Sequence, residues 1–190
     1  MDFDVVFIVG PQGSGKGTQG KLLAEKLGFF FWDMGAILRE VRKENTPLGK
    51  QVSAMDQGVL LTDETILEVA KGKLAAIPLD PGVIFDGIPR RLGQAEFLLD
   101  YLKAHRKKKM VTLFIDLPRE GSLKRLLLRA EKEGRADDTP EAIDARLRQY
   151  EDAIKPTLEY LKKETTFKSI DGRPSIPEVE KSVDAALGLS

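Results

Sequence analysis

Val5-Val-Phe-Ile-Val9 runs without a break into Gly10-Pro-Gln-Gly13-Ser-Gly15-Lys16-Gly17-Thr18. Five consecutive apolar residues ended by Gly10 and Pro11 have strand length. Their lack of alternation marks a strand buried on both faces, as in parallel sheets. The glycines that follow let the backbone curl into a concave nest of N–H donors. From Lys16 to Leu27 the spacing of Leu22, Leu23 and Leu27 predicts a helix, whose first N–H groups and dipole face the same point. Strand, glycine-rich turn and helix together make a cradle for a polyphosphate, with Lys16 adding a point charge near its β and γ groups. The strict form of this loop has Ser or Thr directly after the lysine. Here Gly17 intervenes and Thr18 comes one place later.

Outward from this unit, short apolar runs alternate with longer helical ones. Phe29–Trp32, Val83–Phe85, Val111–Ile115 and Phe167–Ile170 read as further strands. Leu123, Leu126 and Leu127 mark one face of a helix after Pro118. Helix starts are signalled by Thr62-Asp63-Glu64, by Thr139-Pro140 and by the capping box Ser175-Ile-Pro-Glu178. Pro156 is expected to break or kink the long helix after Thr139. Such alternation implies a mostly parallel sheet with helices on both faces, and ligands at the carboxyl ends of the strands. Two stretches look like excursions from this core: Asp33 to Leu61, and the very polar Arg129 to Thr139. Both are expected to move as lids, with Gly35 and Gly134 as hinges.

The 190 residues suit one domain, and 30 basic against 30 acidic residues leave no net charge. A bulk basic footprint for nucleic acid or anionic lipid is therefore absent. Zero cysteine and one histidine, His105, exclude a disulfide framework, a thiolate or multi-histidine metal site and a cysteine nucleophile. The longest wholly apolar run is the five residues Val5–Val9, and the amino terminus Met-Asp-Phe-Asp is acidic where a signal peptide is basic. We expect a cytoplasmic protein without membrane or nucleic-acid partners. His105-Arg-Lys-Lys-Lys109 reads as a solvated turn, because no aromatic platform interleaves its charges. Tyr150 and Tyr160 are expected to pack or face solvent. Phe29–Trp32 reads as core, with Trp32 alternatively flanking a bound base.

A phosphate cradle alone does not say what is done with the nucleotide. Joining two anionic groups would need several cations, and the chain supplies arginines at the right places. Arg39 lies in the first excursion, and Asp86-Gly-Ile-Pro-Arg90 follows a strand. Arg125, Arg129 and Arg135 frame the second excursion, with Arg146 one helical stretch later. Arginine's planar fork suits bidentate phosphate binding.

Gly10-Pro-Gln-Gly-Ser-Gly-Lys-Gly-Thr-Gln19, Asp86-Gly-Ile-Pro-Arg90 with Gln94, and Gly134-Arg-Ala-Asp-Asp138 with Arg146 resemble the adenylate kinase family, in that order and nearly end to end. The resemblance implies an α/β P-loop NTPase three-layer fold with a five-stranded parallel sheet. Its core would be 1–32, 62–128 and 139–190, with a nucleoside-monophosphate-binding helical insertion at 33–61 and a short lid at 129–138. The implied reaction is reversible transfer of the γ-phosphoryl of Mg·ATP to AMP, giving two ADP, by a monomer. Gly13, Ser14, Gly15, Lys16, Gly17, Thr18, Arg125, Arg129 and Arg173 would hold ATP. Met34, Gly35, Arg39, Leu61, Gly87, Arg90, Gln94, Arg135 and Arg146 would hold AMP. Lys16, Arg90, Arg125, Arg135 and Arg146 would surround the transferring group, and Asp86 would reach Mg²⁺ through water. Asp137 and Asp138 would orient the lid arginines, or else simply start the helix after Thr139. A lid this short and free of cysteine implies no zinc.

The base of the acceptor is read less directly. Gln94 favours AMP, since the sister UMP/CMP kinases usually carry Asn there. The family's Thr-Gly-Asp reads Met34-Gly35-Ala36 here, so Met34 could pack on a base without selecting it. A UMP/CMP or broad nucleoside monophosphate kinase is thus the alternative, and looser base selection is expected.

Overall fold

The computed structural model describes residues 3–57, 61–105, 107, 109–133 and 139–189. Its strands are β1 (Val5–Val9), β2 (Phe30–Asp33), β3 (Val83–Asp86), β4 (Met110–Asp116) and β5 (Thr166–Asp171). They form one sheet in the order β2-β3-β1-β4-β5, with every pairing parallel. The helices are α1 (Lys16–Leu27), α2 (Met34–Val41), α3 (Pro47–Ser53), α4 (Asp63–Leu74), α5 (Leu92–Ala104), α6 (Arg119–Glu133), α7 (Pro140–Glu164) and α8 (Ile176–Leu187). This is the expected α/β three-layer architecture.

The central strand shows why its run is unbroken. Side chains alternate across a strand. Val5, Phe7 and Val9 enter a core built with α2 to α5 and α7, while Val6 and Ile8 enter a second core with α1 and α8. Phe7 stacks on Phe85 of the neighbouring strand at 5.5 Å between centroids, and Trp32 continues the row at 5.7 Å. Trp32 is therefore core, not a wall for a base, because it points away from solvent and into this aromatic row.

Most of the chemical start signals act as expected. Thr62, Thr139 and Thr46 each accept a first-turn N–H, and Ser175 with Glu178 forms the reciprocal capping box. Two expectations fail for identifiable reasons, and the break expected at Pro156 does not occur. Pro156 does not divide α7, because an unbroken apolar face of Ile143, Leu147, Ile154 and Leu161 holds the helix on both sides of it. Leu127 does not join the buried face of α6. Only Leu126, with Leu123 partly, packs on Ile143 and Leu147 of α7, and Leu127 meets solvent. Lys107 is not solvated: it is buried, and its ammonium donates to Asp80 at 2.6 Å.

Four of the five strands end in aspartate: Asp33, Asp86, Asp116 and Asp171. The four carboxylates and the loop after β1 thus share the carboxyl edge of the sheet. The order places β1 between β3 and β4, so the chain crosses over there and leaves a crevice above the strand ends.

Candidate active site

The loop after β1 is shaped by glycines with left-handed backbone: Gly13 at φ 81° and Gly15 at φ 95°. Gly15 is the N-cap of α1 and brings no side-chain cap with it, so no side chain competes for the helix's first turn. Lys16 folds back over the loop and donates to the Pro11 carbonyl at 2.7 Å. Burial lowers its pKa to about 8; Arg90 and Arg129 add to the effect and Asp86 opposes it. A half-buried ammonium with further cations beside it favours an arriving anion.

Asp86 faces this loop from the end of β3. Burial pushes its carboxyl above the usual range; Lys16 and Arg90 pull the other way, and Asp33 adds to the rise. Its Oδ1 is buried without a hydrogen-bond partner, as are Ser14 Oγ and Gln12 Oε1. Gly17, which replaces the strict motif's hydroxyl residue, leaves room for Asp86: a Cβ there would lie 3.1 Å from Asp86 Oδ2. Thr18 is exposed.

Beside the loop lies a cleft of ≈ 200 Å³ between α2, α4, α5 and α7. It brings together Gly35, Arg39, Leu61, Arg90, Gln94 and Arg146, six residues expected at one ligand. Arg39 Nη2 lies 3.8 Å from Asp33 Oδ2, and Arg146 Nε donates to the Ala142 carbonyl at 3.2 Å. Arg90 lies in the fields of Asp86, Arg146 and Asp33.

On the loop's other flank, α6 supplies Arg125, whose guanidinium donates to the carbonyls of Arg173 at 3.0 Å and Pro174 at 3.4 Å. Its other nitrogen lies 3.5 Å from the Gly13 carbonyl. Arg129, one turn on, is close enough to lower the pKa of Lys16. The site as built thus sets a glycine-shaped backbone loop with Lys16 opposite a cleft lined by the side chains of Arg39, Arg90 and Arg146.

The family model described as Adenylate kinase matches residues 8–166. An adenylate kinase of Thermus thermophilus is 39% identical over 185 residues, covering 97% of each chain. One of Phocaeicola vulgatus is 37% identical over 183 residues, covering 96% of this chain and 97% of the relative. One of Hyphomonas neptunium is 36% identical over 186 residues, covering 97% and 98%.

The chain belongs to the adenylate kinase family.

Two residues expected at a ligand, Met34 and Arg173, turn their side chains elsewhere. Met34 is 2% exposed and fills the core beneath Gly87, whose ideal Cβ would lie 3.1 Å from Met34 Cβ. Its side chain therefore does not line the cleft, because the first residue of α2 turns inward from the sheet edge. Gly87, at φ 83°, makes the turn that leads Asp86 toward Arg90. Arg173 points outward and forms a bidentate pair with Asp171, with Nη2 2.8 Å from Oδ2, so its carbonyl rather than its guanidinium serves the site. Arg135, Asp137 and Asp138 lie outside the described residues, as does Gly134.

Four side chains not named from sequence as site residues stand in or beside this adenylate kinase fold's cleft. Asp33 accepts from the Ala36 N–H at 2.9 Å and caps α2, restoring a carboxylate close to where the family's own is missing. Asp63 and Arg91 line the cleft beside Gln94. Tyr150 lines it from α7; its hydroxyl is buried without a partner, and burial raises its pKa. The repeated strand-final aspartate was a visible signal for Asp33. Nothing in the spacing of Asp63, Arg91 or Tyr150 announced them.

Proposed function

We propose that this member of the adenylate kinase family catalyses reversible transfer of the γ-phosphoryl of ATP to AMP, giving two ADP. The observation that carries the reading is the pair of facing cradles, one of loop backbone and Lys16, one of Arg39, Arg90 and Arg146. In our reading a phosphate oxygen of AMP attacks the γ-phosphorus, and the bond to the β,γ-bridging oxygen breaks as ADP leaves. No general base is required, since the attacking phosphate is already ionised. The protein's work is positioning and neutralisation of charge.

Lys16 would lift from Pro11 onto the ATP phosphates, joined by Arg125 and Arg129. Arg39 and Arg90 would hold the AMP phosphate, and Arg146, with Arg135, would bridge toward the moving group. Gly13 to Thr18 would bind ATP through backbone donors. Residues 33–61 and 129–138 would close over the nucleotides and exclude water, which would otherwise take the phosphoryl group.

Mg²⁺ would arrive with ATP. Among the described residues no cluster of three His, Cys, Asp or Glu could hold a metal alone. The unpartnered Oδ1 of Asp86 beside the loop suits a hydrated Mg²⁺, which keeps several waters and few protein ligands. The ion would neutralise phosphate charge, and Asp86 would orient its water shell. The reading extends to a monomer at work in the cytoplasm. In the described residues no helix is long and apolar enough to cross a membrane.

A coupled assay tests the proposal. Steady ADP formation from ATP plus AMP, two ADP for each AMP consumed, is the expected result. ATP binding without transfer to any monophosphate would contradict it and leave a nucleotide-gated switch. Higher kcat/KM for UMP or CMP than for AMP would favour the pyrimidine kinase instead.

A further inference from the structure

Gln94 is 1% exposed, and both halves of its amide are engaged by the protein. Its Oε1 accepts from the Arg90 backbone N–H at 2.8 Å. Its Nε2 donates to Asp63 Oδ1, also at 2.8 Å. The same oxygen of Asp63 lies 3.4 Å from Arg91 Nε, so a guanidinium steadies the carboxylate from behind. Asp63 sits in the first turn of α4, directly after its Thr62 cap, which fixes its backbone.

A primary amide presents a donor at one end and an acceptor at the other, and can usually be turned over to suit its partner. Neither partner allows that here. A backbone N–H can only donate and a carboxylate can only accept. Turning Gln94 over would set N–H against N–H and carbonyl against carboxylate, with both clashes buried. The amide keeps one lone pair and one hydrogen for a ligand, in an order the protein dictates.

We propose that Asp63, by locking the Gln94 amide, makes the acceptor cleft select bases that carry an exocyclic amino group beside an unprotonated ring nitrogen. The inference rests on the reading above that the acceptor base lies against Gln94. Adenine and cytosine present a donor next to an acceptor on that edge. Hypoxanthine, guanine and uracil present an acceptor next to a ring N–H. With its phosphate held by Arg39 and Arg90, the nucleotide has one approach to the cleft, so the base cannot invert to compensate. Asp63 is thus a positioning residue acting through Gln94, with Arg91 holding Asp63.

AMP and IMP differ only at this edge, so their ratio isolates the effect. The experiment measures kcat/KM for AMP and IMP, with ATP as donor, in the wild-type protein, in Asp63→Asn and in Asp63→Ala. Melting curves check that each variant is folded. The wild type is expected to favour AMP by about a hundredfold or more. In Asp63→Asn the new amide can face Gln94 with either end, and the AMP:IMP ratio falls by about tenfold, mainly through a lower KM for IMP. The Asp63→Ala ratio falls too, and CMP loses its advantage over UMP in both variants. An unchanged ratio overturns the inference, and so does an equal loss for AMP and IMP, which would make Asp63 a mere support of α4. AMP turnover with a wild-type AMP:IMP ratio near one overturns the inference alone. Failure of the wild type to phosphorylate AMP overturns the functional reading and this inference together.

Discussion

The two cradles of the site are made of different material. The loop after β1 is backbone: its shape comes from Gly13 and Gly15, and its one charged side chain, Lys16, bonds to the loop's own carbonyl. The opposite cleft is side chains: Arg39, Arg90 and Arg146 come from three separate elements, and carboxylates hold two of its residues in place, Asp33 at Arg39 and Asp63 at Gln94. A backbone cradle recognises phosphate charge whatever base is attached. A cradle of oriented side chains with the buried Gln94 among them can also read the base. Any substitution that affects both cradles alike would break this contrast.

The largest effect is expected at Lys16. Lys16→Met should lower kcat/KM by about a thousandfold or more, the scale at which one cation acts on a transferring phosphoryl group. It should also raise the melting temperature at pH 7. The folded protein binds the Lys16 proton less tightly than an unfolded chain does, so its burial opposes folding in full below pH about 8. That opposition fades between pH about 8 and the ordinary lysine value. The expected gain is roughly 2–4 °C per kcal/mol of relieved cost. A variant that loses activity and stability together would contradict this account of the loop.

Arg90→Ala comes next. Phosphoryl transfer should fall by about a hundredfold or more, with ATP affinity, read by calorimetry, changing by less than about threefold. A collapse of ATP affinity would move Arg90 to the loop's side of the site.

The pH dependence then separates the cradles without mutation. The Lys16 ammonium is the form that meets phosphate, and in the free protein it is lost above pH about 8. kcat/KM for ATP should therefore decline by up to about tenfold per pH unit above 8, since this parameter reports groups of the free enzyme. kcat/KM for AMP at saturating ATP should stay nearly flat, because bound phosphate keeps Lys16 protonated. A flat ATP profile up to pH 10 would contradict the environment described for Lys16.

The smallest effect is expected at Asp33. Asp33→Ala removes the α2 cap and the partner of Arg39, and should cost about 0.5–2 kcal/mol of stability while raising KM for AMP and sparing that for ATP. Asp33→Asn keeps the cap and should recover the stability but not the whole KM. A wild-type KM for AMP in Asp33→Asn would assign Asp33 to capping alone.

How far the primary structure could be read follows the same division. β1, its loop and α1 were legible because glycine spacing and an unbroken apolar run constrain backbone directly, and the caps at Thr62, Thr139 and Ser175 are local chemistry. The arginines were legible as a set, since lysine dominates the remaining surface. The second tier was not. Asp63 meets Gln94 across 31 positions, and Lys107 meets Asp80 across 27, pairings that only the folded chain creates. Met34 shows the converse error. Met34 was expected to pack on a base, yet as the first residue of α2 it turns its side chain into the core. Pro156 teaches that a local breaker yields to tertiary packing when apolar residues on either side share one buried face.

The most direct test of the facing cradles is a crystal structure with a dinucleoside polyphosphate long enough to occupy both sides at once. The account predicts an adenosine at each end, the loop backbone and Lys16 on one end of the phosphate chain, and the guanidinium groups of Arg39, Arg90 and Arg146 within hydrogen-bond distance of the other. A ligand held by the loop alone, with those three arginines turned away from its phosphates, would contradict it.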